Sequence, residues 1–137
     1  MRIVIDSNVL FAALIKNSTT RRIILEYEGL FLFPEVIFEE VEKYKSDLLR
    51  KSEMDENEFS KLLELILRKV MIVPTELLDS HYDESATLAK SVESPEDQLF
   101  FACALAYPGS VIWSNDKKLR KQTKVKIITT LEMSKLI

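Results

Sequence analysis

Ile3-Val4-Ile5-Asp6-Ser7-Asn8-Val9-Leu10 decides how this chain reads. A β-branched run stops at an acid. Ser and Asn follow, and Asp, Ser and Asn are all favoured helix caps. Apolar residues then resume at helical spacing. The stretch predicts a strand over Ile3–Ile5, an acid-bearing turn and a helix over Val9–Ile15.

The same unit recurs along the chain. Apolar runs at Phe31–Phe33, Met71–Val73, Val111–Trp113 and Val125–Ile128 join the first. None alternates cleanly, as expected of strands buried on both faces. Helical patterns lie between them, at Thr20–Glu28, Glu35–Arg50, Glu56–Lys69, Glu84–Val92, Glu96–Tyr107, Lys117–Lys121 and Leu131–Leu136. This alternation predicts an α/β three-layer sandwich, with a mainly parallel sheet of about five strands, flanking helices and right-handed crossovers. Two helix starts are marked. Asp55-Glu56-Asn57-Glu58 fits a capping box before the stripe Phe59, Leu62, Leu63, Ile66, and Ser94-Pro95 reads as a serine cap with proline at the first helical position. The run from Leu99 to Ala106 is apolar all round, which predicts a central helix packed on several sides.

The 137 residues, 47% of them hydrophobic, suit one domain over 1–137 with a core that needs no staples. The single cysteine, Cys103, allows no internal disulfide and fits a reducing, cytoplasmic setting. No stretch reaches the roughly 20 apolar residues of a membrane span, and the opening is too short in apolar residues for a signal peptide. Only two glycines, Gly29 and Gly109, are present, which excludes a glycine-rich phosphate loop. With a net charge of −3, bulk charge does not draw in a polyanion, so such a ligand needs a local basic patch or bound cations.

Ligands of open parallel sheets bind outside the carboxyl ends of the strands. Asp6 directly follows the first strand, and Asp116 follows Val111–Trp113 through Ser114 and Asn115. Each also reads as a plain helix cap. On the helix after Pro34 the stripe Ile37, Val41, Tyr44, Leu48 spans about 60°, and Glu40 flanks it roughly 70° from its centre, able to reach inward at the core's rim. A flanking Glu is also commonly just solvated. Asp97 stands in the first turn of the apolar helix, where the helix dipole alone favours an acid. Its surroundings are so apolar that an unpartnered carboxylate there is costly. Four acids brought together without matching bases repel one another, and a divalent cation resolves this, Mg²⁺ or Mn²⁺ by ligand hardness. Zinc finds no ligand pattern, because His81 and Cys103 stand alone and apart.

At these residues the chain resembles the PIN-domain nucleases, a family that includes VapC-like toxin ribonucleases. Val4-Ile5-Asp6-Ser7-Asn8-Val9-Leu10 is similar to the family's first motif, and Pro34-Glu35 through Glu39-Glu40-Val41 to its second. Asp97 with Gln98-Leu99-Phe100-Phe101-Ala102-Cys103-Ala104 is similar to the third, and Ser114-Asn115-Asp116 to the fourth. The likeness runs over almost the whole chain in order and spacing. It departs where some members carry an extra acid, near Ser94, Pro95 and Glu96, and at Lys118, which leaves open whether one or two metal ions bind.

The resemblance implies a PIN-like sandwich, Mg²⁺ or Mn²⁺, and RNA cleavage. It also implies that Asp6, Glu40, Asp97 and Asp116 are catalytic and metal-holding. Asn8 and Ser114 would support them by hydrogen bonds. It further implies a homodimer and, where the chain is a toxin, an antitoxin partner. Lys117, Lys118, Arg120, Lys121, Lys124 and Lys126 follow the fourth motif and are candidates for phosphate contacts, as are Lys16, Arg21 and Arg22 after the first helix; both groups also read as solvated faces. Two other functions compete. One is a silent PIN-like RNA-binding or scaffold domain. The other is a phosphatase-like hydrolase with Asp6 as nucleophile, against which stands Asn8 where a second Asp is wanted.

Overall fold

A computed structural model describes residues 1–136. Its five strands are β1 (Ile3–Ile5), β2 (Phe31–Pro34), β3 (Val70–Val73), β4 (Val111–Trp113) and β5 (Lys126–Ile128). They form one sheet in the order β3-β2-β1-β4-β5, and every pairing is parallel. The α-helices are α1 (Ser7–Ile15), α2 (Thr19–Glu26), α3 (Ile37–Ser52), α4 (Glu56–Leu67), α5 (Tyr82–Ser91), α6 (Gln98–Ala106) and α7 (Thr130–Ser134). The expected PIN-like three-layer α/β sandwich is therefore the fold. The apolar helix α6 lies over β1, β2 and β4 with α5 beside it, while α1 packs with α2, α3 and α4, and α7 against α2. No helix among the described residues is long and apolar enough to cross a membrane.

β1, β2 and β4 are wholly buried, as their lack of alternation predicts. β3 is not. It is an edge strand with a single neighbour, and Met71 is 37% exposed. Trp113, Phe31, Phe33 and Phe101 are fully enclosed and fill the space between sheet and helices. The capping box at Asp55 and Glu58 is present, with both reciprocal hydrogen bonds. A second, at Thr129 and Glu132, starts α7.

Three local expectations change. α3 begins at Ile37 rather than Glu35, because Pro34 still belongs to β2 and the Glu35 carboxylate instead accepts from the Thr75 N–H at 2.7 Å. A 3-10 turn over Thr75–His81 follows β3, and Lys117–Lys121 is likewise 3-10 rather than α-helical. Ser94 opens a 3-10 turn, Pro95–Asp97, but its hydroxyl caps no backbone N–H. Asp97 accordingly stands at the entrance to α6, not inside its first turn.

Candidate active site

Parallel pairing of β1 with β4 aligns Ile5 with Trp113, so the next residues of both strands emerge together at one edge. The Asp6 N–H donates to the Trp113 carbonyl at 3.1 Å, which draws Ser114 alongside Asp6. The Ser114 hydroxyl then donates to Asp6 Oδ2 at 2.6 Å and accepts from the Asp116 N–H at 3.1 Å. One buried hydroxyl thus ties two acids of distant sequence to each other. Asp6 Oδ1 accepts from the Asn8 N–H at 3.1 Å, and Asp116 Oδ1 from the Lys118 N–H at 3.0 Å. Both acids are therefore helix caps as well as candidate site residues. Ser114 thus hydrogen-bonds both acids. Asn8 acts on Asp6 through its backbone, and its exposed side chain stands between two neighbouring cavities.

Asp97 arrives from the other layer. It is buried, and the equally buried Ser94 hydroxyl bonds its Oδ2 and also lies 2.9 Å from Glu96 Oε1. Burial pushes the Asp97 carboxyl up to about 6, with the negative charges of Asp6, Glu96 and Asp116 adding to the rise against the pull of Ser94. Burial also raises Asp6, opposed by the bonds from Ser114 and Asn8 and helped by the charge of Asp116. Glu96 moves the opposite way, held low first by its own backbone N–H, then by Ser94 and the nearby Lys118 charge.

Asp6 and Asp97 open onto a cavity of about 530 Å³, which Glu40 and Glu96 also line. Glu40, at the rim of α3, is partly buried and lines this cavity. On the other side of Asp6 and Asn8 a smaller hollow of about 300 Å³ is lined by Thr20, Asn115 and Asp116. Reasoning from sequence missed Ser94 as a partner of Asp97, Glu96 as a lining acid, and Tyr44 and Lys51 in the cavity wall. Ser94 carried a signal that was absorbed by its cap-like position before proline.

A PIN domain profile matches residues 4–135. The chain belongs to the PIN domain family. No curated protein matches the chain by sequence. In this PIN domain, then, the strand-end acids of the first and fourth motifs are neighbours through Ser114, and the acid of the third lines the cavity onto which Asp6 opens, while Asp116 lines the smaller hollow on the other side.

The basic residues do not gather as one patch. β5 runs parallel to β4, so the chain returns to the opposite edge of the sheet, and Lys126 opens β5 there. Lys124 lies 3.6 Å from Glu84. Arg120 pairs with Glu132, and the Arg21 Nε donates to the Ala13 carbonyl at 2.7 Å. Lys16, Arg22, Lys117, Lys118 and Lys121 make no ion pair among the described residues. Lys118 Nζ lies 3.5 Å from the Glu93 carbonyl, and its charge acts on Glu96.

Proposed function

We propose that this PIN domain is a Mg²⁺- or Mn²⁺-dependent ribonuclease that hydrolyses phosphodiester bonds of RNA. The observation that carries the reading is the Ser114 hydroxyl tying Asp6 to Asp116 at the ends of β1 and β4, with Asp97 on the cavity onto which Asp6 opens. Among the described residues, no three acidic, His or Cys side chains already stand near enough together to hold an ion. Each aspartate is held by a local donor, namely Ser114, Ser94 or the Lys118 N–H. The donor set itself fits a hard cation, since it consists of carboxylate and hydroxyl oxygens with no imidazole or thiolate. Buried carboxylates with raised pKa values lack a positive counter-charge, which a divalent ion provides.

Asp6, Asp97 and Asp116 would hold the cation, and Glu40, on the same cavity, would hold a second ion or orient the attacking water. When bound, Mg²⁺ or Mn²⁺ supplies Lewis acidity toward water and the scissile phosphate. Ser114 fixes the Asp6 carboxylate and Ser94 fixes Asp97, so neither rotates away as its charge is engaged. Incubation with a mixed RNA panel, with and without Mg²⁺ or Mn²⁺, tests the proposal. Metal-dependent cleavage lost in Asp6→Asn supports it. Metal binding with no turnover on any RNA supports the silent scaffold instead.

Substrate approach follows from the charges left uncommitted. Lys118→Glu combined with Lys121→Glu weakens RNA binding about tenfold at 50 mM salt, and the deficit shrinks at 200 mM as counterion release loses its force. Binding unchanged at low salt transfers the role to Lys16 and Arg22.

We further propose a homodimer and, where the chain is a toxin, an antitoxin protein that opposes it. Phe38 on α3 and Leu65 on α4 are 56% and 48% exposed, which is apolar surface for a second copy to cover. Sedimentation at micromolar concentration is expected to give a dimer, and a monomer alone overturns that assembly.

A further inference from the structure

The cavity beside the acids has two chemically different parts. One is the carboxylate edge of Asp6, Glu40 and Asp97. The other is apolar and aromatic, formed by Phe11 and Ile15 of α1 with Tyr44 and Leu48 of α3. Tyr44 belongs to the inward stripe of α3, whose other members Ile37, Val41 and Leu48 are buried, yet it is 39% exposed. Core packing stops short of it because the cavity lies there. Phe11 meets the Tyr44 ring edge to face, with centroids 5.5 Å apart at 62°. Phe11 is half-buried in the core, so the tyrosine is backed by fixed structure, and the exposed Lys43 ammonium, 5.3 Å from the Tyr44 ring centroid, is the group an incoming base displaces. The Asp47–Lys51 pair, 3.1 Å apart, adjoins this wall and offers an acceptor and a donor together.

We propose that this wall is a nucleobase subsite: Tyr44, braced by Phe11, stacks an unpaired base of the RNA whose neighbouring phosphate lies at Asp6 and Asp97. The proposal rests on the nuclease reading above and names the form of substrate it takes. One ligand has to satisfy both parts of the cavity. An apolar side chain from a protein partner fits the aromatic wall, but it buries the carboxylates further and raises their cost. A nucleotide brings a flat π-face for the ring and, within one sugar's length, an anion that enters with cations. The volume, about 530 Å³, falls within the roughly 300–1,000 Å³ of ligand clefts. Bases inside a duplex are stacked on both faces and do not reach a concave wall, so the subsite admits single strands, loops and splayed bases. Every base has a π-face, so Tyr44 contributes affinity and strandedness more than sequence preference.

The test is stopped-flow fluorescence of a single-stranded oligoribonucleotide carrying 2-aminopurine, mixed with the protein in Mg²⁺, with cleavage of the same strand followed afterwards. Stacking quenches the probe. Tyr44→Phe is expected to keep the quenching. Tyr44→Leu, which preserves apolar bulk without a π-face, and Tyr44→Ala are expected to lose it and to weaken binding about 5- to 100-fold. Tyr44 is partly exposed, and the leucine variant preserves the helix stripe, so folding is checked by its melting curve. Quenching equal in wild type and Tyr44→Leu overturns the subsite. So does a leucine variant that turns a dimer into a monomer while binding is unchanged, since Tyr44 is then a subunit contact. Tyr44-dependent quenching without cleavage by any metal supports the subsite and sinks the nuclease reading. Cleavage with Tyr44-independent binding does the reverse.

Discussion

Asp6→Asn lowers metal-dependent RNA cleavage by at least about a hundredfold, the scale on which even residues supporting a metal site act, and leaves the metal-free protein as stable as wild type or more so. The two halves of this expectation come from the same geometry. Asp6 is buried at the junction of β1 and β4, and both burial and the Asp116 charge raise its pKa, so its ionised form is a burden on the fold. Asparagine removes the charge while keeping an oxygen to accept the Asn8 N–H and a polar partner for Ser114. Asp6→Ala separates the roles: it also deletes the cap of α1, at a cost of about 0.5–2 kcal/mol. Cleavage assays beside calorimetry in EDTA read both effects. A large fall in melting temperature for Asp6→Asn, with cleavage retained, leaves Asp6 as a helix cap and nothing more.

Asp97 gives the larger pH effect. Its carboxyl titrates at about 6 in the metal-free fold against an ordinary 3.8. Between those values the folded protein retains a proton that the unfolded chain has lost, so stability falls as pH rises through about 4 to 6 and stays lower above. Asp97→Asn removes the Asp97 share of that dependence, leaving only the smaller one of Asp6. It raises the melting temperature at pH 7–8 by about 3–6 °C, corresponding to about 1–2 kcal/mol once solvent screening is allowed for, and changes it little at pH 4. Asparagine still accepts from Ser94, so the gain is not offset by a lost hydrogen bond. On the proposed function Mg²⁺ favours the ionised carboxylate and shifts the midpoint downward, which carboxyl-carbon NMR in this diamagnetic ion follows directly. Parallel melting-temperature curves for wild type and Asp97→Asn across pH 4–8 refute the account.

Asp6 and Asp116 were legible in the sequence because topology alone places strand-end residues: once the sheet is parallel, their edge is settled. Glu40 was legible from helical periodicity, which needs only the angle between a charge and an apolar stripe. What escaped depended on the third dimension. Met71 reads as a buried strand residue, and its exposure follows from β3 having one neighbour rather than two. The basic run after Asp116 is contiguous in the chain yet divided in space, because a parallel strand must restart at the far edge. Ser94 looks like a cap before Pro95. Only the approach of Glu96 and Asp97 to one hydroxyl reveals that it serves them instead. The exposed aromatic at Tyr44 is invisible to a helical wheel, which has no means of showing where the core ends.

The bond from Ser114 to Asp6 spans 108 positions of chain. At the ribosome's pace of about 5–20 residues per second, roughly 5–20 s separate the synthesis of its two ends. Through that interval β1 has no β4 to pair with, and Asp6 has neither Ser114 nor Asp116 beside it. A growing chain therefore carries its first acid without the means to use it. The acidic edge comes into being only after most of the polypeptide has been made, so on the proposed nuclease function the nascent chain carries no assembled site while it is being synthesised.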